Sequence, residues 1–138
     1  MFHLLKILNG RTGVPEPSRI TLSADASVKY GTPVIISGGT LTKMSATSTA
    51  LPTHLVLADS EGKEVLATPI FPEMVFEVPA ATSPASLTEG KEYLISADGL
   101  SLSATAADSS KRGALLLSKR GATKAGDTVT VRFTNESK

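Results

Sequence analysis

Short apolar runs, each closed by glycine, proline or a charged turn, follow one another along most of the chain. The runs are rich in Val, Ile and Leu, and Ser and Thr are spread throughout, so the pattern predicts strands and turns in preference to long helices. Val34-Ile35-Ile36 lies between Gly31-Thr32-Pro33 and Ser37-Gly38-Gly39 and reads as a strand entering a tight turn, with the return strand starting at Leu41 to Met44. Leu55 to Ala58 reads as a buried strand, followed by a turn at Asp59-Ser60-Glu61-Gly62. Val65 to Ala67 and Met74 to Val78 continue the series, and Thr82-Ser83-Pro84 marks a linker. Thr128 to Phe133 alternates with the strict period of two expected of a half-buried strand. Ser101 to Ser110 is Ala-rich but also rich in Ser and Thr, and fits a short helix, a loop or a weak strand.

The second half of this pattern repeats the first. Gly31 to Ser37 aligns with Gly90 to Ser96, 59 residues on, and Leu41 aligns with Leu100 at the same spacing. Leu55-Val56-Leu57 resembles Leu115-Leu116-Leu117 at a spacing of 60, and both runs end in a charged, Gly-containing turn. Tyr30 and Tyr93 stand near strand starts in what read as equivalent places. Each half closes on an apolar strand, Val75 to Val78 in one and Thr128 to Phe133 in the other. The expected fold is all-β: a small barrel- or sandwich-like domain over residues 28–138, built from two similar β units at about 28–79 and 87–134.

Residues 1–27 read differently, as an extended N-terminal arm. Phe2, Leu4, Leu5, Ile7 and Leu8 form an apolar patch, and Val14-Pro15-Glu16-Pro17 follows shortly after. Two prolines one residue apart hold the backbone extended and remove two amide donors, which suits a segment lying along a surface better than a central strand. The apolar patch must be buried somewhere: on the domain itself as a first strand, or on a partner where it becomes ordered.

Composition narrows the function. The net charge of +1 lacks the basic excess of a dedicated nucleic-acid binder. The charges are uneven, however: residues 51–100 carry eight acids and two lysines, whereas residues 101–138 carry seven basic residues and three acids. Solvated strand faces explain this, and so do acidic and basic surfaces meeting between neighbouring copies. Absence of cysteine excludes disulfides and thiolate chemistry. The first eight residues are too short, and too interrupted by Lys6, for a signal h-region, and no apolar run reaches membrane-spanning length. A soluble chain that is not exported by a standard route is expected.

Candidate chemistry is thin. His3 and His54 have no His or Cys at ligand spacing, so no metal and no cofactor is expected. Ser37, His54 and Asp59 supply the residue types of a hydrolytic triad, but no Gly-x-Ser-x-Gly elbow is present. Gly38-Gly39 lies between strands and is not a phosphate loop. Lys111-Arg112 and Lys119-Arg120 each precede a glycine, as hairpin turns do, and lack aromatic partners for stacking bases. The reading is a non-enzymatic binding protein.

Several stretches together resemble a known group: Lys6 to Arg11 followed by Val14 to Pro17, Tyr30-Gly31, Gly39 to Lys43, Pro72 to Glu77, and the closing Ala125 to Phe133. They are similar to the capsid decoration (head auxiliary or cement) proteins of tailed bacteriophages. The chain differs from the best-known members in its greater length and its apolar start. The resemblance implies a structural virion protein, made in the host cytoplasm and placed on the capsid exterior. It implies a homo-oligomer, a trimer in many such proteins, whose N-terminal arm docks on the major capsid protein, with no membrane and no direct nucleic-acid contact. Carried over by position, the arm's partner-binding residues are Phe2, Leu4, Leu5, Ile7, Leu8, Arg11, Val14, Pro15, Pro17 and Ile20. The alternatives are another virion component, such as a tail-tube subunit, or a small sugar- or host-surface-binding module.

Overall fold

A computed structural model describes residues 1–8 and 15–134. Eleven strands run through them: β1 (His3–Ile7), β2 (Ser18–Thr21), β3 (Pro33–Ser37), β4 (Thr40–Lys43), β5 (His54–Val56), β6 (Glu64–Pro69), β7 (Met74–Pro79), β8 (Glu92–Ile95), β9 (Leu102–Ala106), β10 (Ala114–Ser118) and β11 (Thr128–Arg132). A single 3₁₀ turn, Pro84–Ser86, stands where the linker was expected. The protein is all-β. A six-stranded sheet has the order β1-β7-β11-β10-β8-β9 and a five-stranded sheet the order β2-β6-β5-β3-β4, every neighbouring pair antiparallel. Neither sheet closes as a barrel, although a bridge from Ala80 to Leu102 draws the end of β7 to the edge strand β9, and a Ser23 N–H donated to Gly39 O draws the end of β2 to the β3–β4 turn.

Apart from β1, the two sheets are the same structure twice. The order β2-β6-β5-β3-β4 maps strand for strand onto β7-β11-β10-β8-β9. Register agrees as well: Pro33 faces Leu55 and Val34 faces His54, as Glu92 faces Leu115 and Tyr93 faces Ala114. Turn hydrogen bonds recur too, with Gly31 N–H donated to Val56 O and Gly90 N–H to Leu116 O. Both glycines have φ near +80°, a left-handed backbone that L side chains rarely adopt.

Three details of the expected repeat need correction. Met74–Pro79 does not close the first unit; it pairs with β11 and opens the second, so the units run from β2 to β6 and from β7 to β11. A period of two marks a strand but does not name its neighbour, and that is how the boundary was misplaced. Leu41 corresponds to Leu102, not Leu100, because Leu41 faces Ile36 across the Gly38-Gly39 turn whereas Leu102 faces Ile95 across a turn two residues longer. Tyr93 takes the place of Val34 and is buried, while Tyr30 lies on the surface. The open reading of Ser101 to Ser110 resolves as β9 and the bend after it.

Each unit wraps an apolar core on the inner face of its own sheet. In the first unit Leu22, Val28, Val34, Val56 and Val65 are buried, with Ile20, Ile36 and Leu41 packed against them. The second unit's counterparts join a larger cluster that also takes in Phe2, Met44 and Leu55. Strand alternation explains the join: Leu55, Leu57 and Ile35 lie on the outer face of the five-stranded sheet and pack against the core of the six-stranded one.

The expected arm over 1–27 is corrected by its described residues. β1 pairs along β7 and β2 along β6, each as the edge strand of a sheet. Phe2 is fully buried, its ring 5.4 Å from that of Phe133, which in turn lies 5.7 Å from Phe76. Its amide donates to Gly31 O and the Met1 ammonium to Leu100 O, so the chain start sits across the junction of the two units. Phe2, with Leu4 and Ile7 packed beside it, finds its burial there, in space that exists only once both units are folded.

Antiparallel pairing also accounts for the uneven charge. Four ion pairs are described, Arg19–Glu64, Lys29–Asp59, Arg112–Glu92 and Arg120–Glu77, and every acid in them comes from residues 51–100. The acidic middle of the chain is thus laid against its basic flanks. Three of these pairs are substantially exposed and stabilise little. The fourth is buried: Glu92 Oε1 accepts from Arg112 Nε at 3.0 Å and from Gly113 N at 2.6 Å. Arg112 therefore anchors the entry to β10 instead of capping a hairpin turn.

Candidate partner-binding surface

The part of the N-terminal segment that remains presentable is the outer edge of β1. Among the described residues β1 pairs on one side only, with β7, which leaves the amides and carbonyls of its other side without a strand neighbour. The pairing carries a bulge: Leu4 faces Phe76 and Lys6 faces Val75, so Leu5 is the extra residue. A bulge turns its residue out of the ladder, and Leu5 is 44% exposed, against full burial for Phe2 three positions earlier. Leu5 and Lys6 border a shallow groove of about 390 Å³ with Leu117, Arg120 and Thr130. At the opposite end of the strand His3 and Tyr30 lie ring to ring at 5.8 Å, with the Tyr30 hydroxyl 3.4 Å from His3 Nδ1.

The ten residues assigned to partner binding are divided by the fold. Phe2 is core. Leu4 and Ile7 are half-buried against the main cluster, and Leu8 donates its amide to Glu73 O. Ile20 packs on the smaller cluster. Pro15 is half-buried and its carbonyl accepts from the Thr68 hydroxyl at 3.1 Å, which ties the proline spacer to β6. Pro17 and Leu5 are exposed. Arg11 and Val14 lie outside the described residues. Among the described residues of the set only Leu5 and Pro17 are exposed, so the expected arm does not present its whole apolar face to a partner.

The residue types of a triad are not assembled. His54 Nδ1 is hydrogen-bonded to the neighbouring Thr53 Oγ1 at 2.8 Å, and burial pushes the imidazole pKa below its ordinary value. Ser37 lies three residues along β3 from Val34, the residue facing His54, a distance of about 10 Å along a strand. The Asp59 carboxylate is engaged by the Tyr30 amide at 2.8 Å and the Lys29 ammonium at 3.2 Å. Among the described residues no group of three or more His, Asp or Glu converges as metal ligands.

The outer face of the six-stranded sheet was missed at the sequence level. Leu115 and Leu117 are half-exposed there on either side of the buried Leu116. The signal was present: three consecutive leucines on a strand must place at least one outward. No known family model matches the chain, and no curated protein is recognisably similar to it.

Proposed function

We propose that this protein is a non-enzymatic structural component of a tailed-phage head, binding the outside of the capsid and reinforcing it. The observation that carries the reading is the edge of β1, with one side unpaired among the described residues and Leu5 turned outward by the bulge. Such an edge accepts a strand from a partner sheet, main-chain hydrogen bonds giving affinity and a side chain such as Leu5 giving selectivity. The motif resemblance supports the choice of partner, the major capsid protein. A rigid β fold needs no reactive group for this work, and many weak contacts repeated over a shell add up through multivalency.

This replaces the arm as the means of attachment. Deleting residues 2–20 would remove β1, most of β2 and the buried Phe2, so a point substitution is the cleaner test. The test is co-sedimentation of the full chain with heads of the phage that encodes it, comparing wild type with Leu5→Glu. Saturable binding by wild type, a rise in the temperature at which heads release DNA, and loss of both in Leu5→Glu are expected. Failure of the wild-type chain to bind heads refutes the proposal. Stacked rings of the isolated protein in negative stain would favour a tail-tube subunit, and binding to a glycan panel would favour a sugar module.

A further inference from the structure

The duplication makes a comparison possible that a single unit would not allow, because each surface of one unit has a counterpart on the other. In the second unit Val78, Ile95 and Leu102 are fully buried. Their counterparts in the first unit, Ile20, Ile36 and Leu41, are only half-buried. The difference lies in what covers them. The second unit's cluster is completed from outside by Met44, Leu55 and Phe2. The β8–β9 turn is abutted by the first unit as well, since a Cβ at Gly99 would lie 3.0 Å from Thr32 Cγ2 and 3.2 Å from the Met44 carbonyl oxygen. At the corresponding end of the first unit there is instead a groove of about 410 Å³, lined by Leu22, Ala26, Leu41, Thr42 and Lys43 among others.

The complementary surface is also present twice and used once. The first unit docks through the outer face of its sheet, where Leu55 is buried and Ile35 and Leu57 are packed against the second unit's core. The counterparts of Leu55 and Leu57, 60 residues on, are Leu115 and Leu117, half-exposed on the outer face of the six-stranded sheet. The counterpart of Ile35, Leu94, is buried, so the molecule carries one filled interface at its middle and, at its ends, a groove and an outer face left partly open at Leu115 and Leu117.

We infer that the chain self-associates head to tail, the outer face of the second unit (Leu115, Leu117) of one copy seating on the groove of the first unit (Leu22, Leu41) of the next. The occupant is a second copy because the covalent neighbour already shows which surface such a unit end accepts. A contact between two different surfaces is heterologous, so it continues from copy to copy until rotation closes a ring or leaves an open filament. This goes beyond capsid attachment and does not need it.

The experiment is sedimentation velocity on the full chain over a concentration series reaching the millimolar range, with Leu41→Glu and Leu117→Glu. Both positions are half-exposed, and far-UV circular dichroism with a melting curve verifies the fold of each variant. If either melts early, Thr42→Arg and Arg120→Glu, at exposed positions lining the groove with Leu41 and the groove with Leu117, take their places. Wild type is expected to exceed the mass of one chain, and each variant alone to associate at least about tenfold more weakly. An equimolar mixture of the two variants is expected to form a dimer that grows no further, since one contributes an intact groove and the other an intact outer face. A monomeric wild type, association indifferent to both substitutions, or a mixture that fails to pair each overturns the inference. No capsid is present in this assay, and because Leu117 borders the same groove as Leu5, Leu41→Glu in the separate groove of the first unit is the variant that distinguishes self-association from capsid binding.

Discussion

Replacing Phe2 by alanine separates a first strand that belongs to its own domain from an arm that waits for a partner. The ring is fully buried and lies tilted against Phe133, 5.4 Å between centroids, within the cluster that joins the two units. Transfer of such a side chain back to water costs about 1.5–3 kcal/mol. The cavity left between Phe133 and the inner face of the sheet brings the expected loss to about 3–5 kcal/mol. That is a large share of the roughly 5–15 kcal/mol by which a domain of this kind is stable. The assay is urea unfolding of the isolated chain followed by far-UV circular dichroism, with the slope against denaturant held as a check that both proteins unfold from equally compact states. Leu5→Ala is the control on the same strand: its side chain is 44% exposed, and a change within about 0.5 kcal/mol is expected. Should Phe2→Ala cost less than about 1 kcal/mol, well below the range for a buried phenylalanine, residues 1–8 are not held by their own sheet and the burial argument is wrong.

Further outcomes follow from the polar contacts and the tight glycine. Arg112→Ala leaves the buried Glu92 carboxylate with the Gly113 amide but without its cation, and should destabilise by about 3–5 kcal/mol in the same urea assay, whereas the exposed Arg19→Ala should stay within about 0.5 kcal/mol. Gly113→Ala places a Cβ 1.9 Å from the Tyr93 carbonyl oxygen, which is backbone and cannot rotate away, so β8 and β10 must part; loss of the cooperative melt or a large drop in its midpoint is expected. Asp98 is held below the usual carboxylate range, first by the Ser96 hydroxyl and then by the Leu100 amide, and Asp108 first by the Ser110 hydroxyl; in Asp127 the Lys124 and Thr123 amides do the same. Carboxyls depressed in the fold bind protons more weakly there than in the unfolded chain, so their contribution is whole above about pH 4 and is lost as pH falls through the folded-state values. Melting midpoints measured from pH 6 down to pH 2 should therefore fall below about pH 4, and Asp98→Asn should flatten part of that fall.

Local sequence was enough for most of the strands and turns and for the duplication, but not for β1 and β2, read as an arm, or for β9, left open. Gly31 and Gly90, the Gly38-Gly39 pair, and the Leu55 and Leu115 runs all stand where their spacing placed them, because turn glycines and period-two runs are local properties. Tertiary structure alone decided which strands are neighbours and where the first eight residues go. Met74 to Pro79 alternates whichever unit it joins, and only its pairing with Val129 and Val131 through Val78 and Phe76 assigns it to the second. Phe2, Leu4 and Ile7 are as apolar in an arm as in a strand; what settles their place is an unfilled volume at the junction of the two units, lined by Phe76, Phe133 and Leu55 from positions far apart in the chain. The outward turn of Leu5 likewise depends on a bulge against Phe76 and Val75, a matter of cross-strand register that no window of adjacent residues contains.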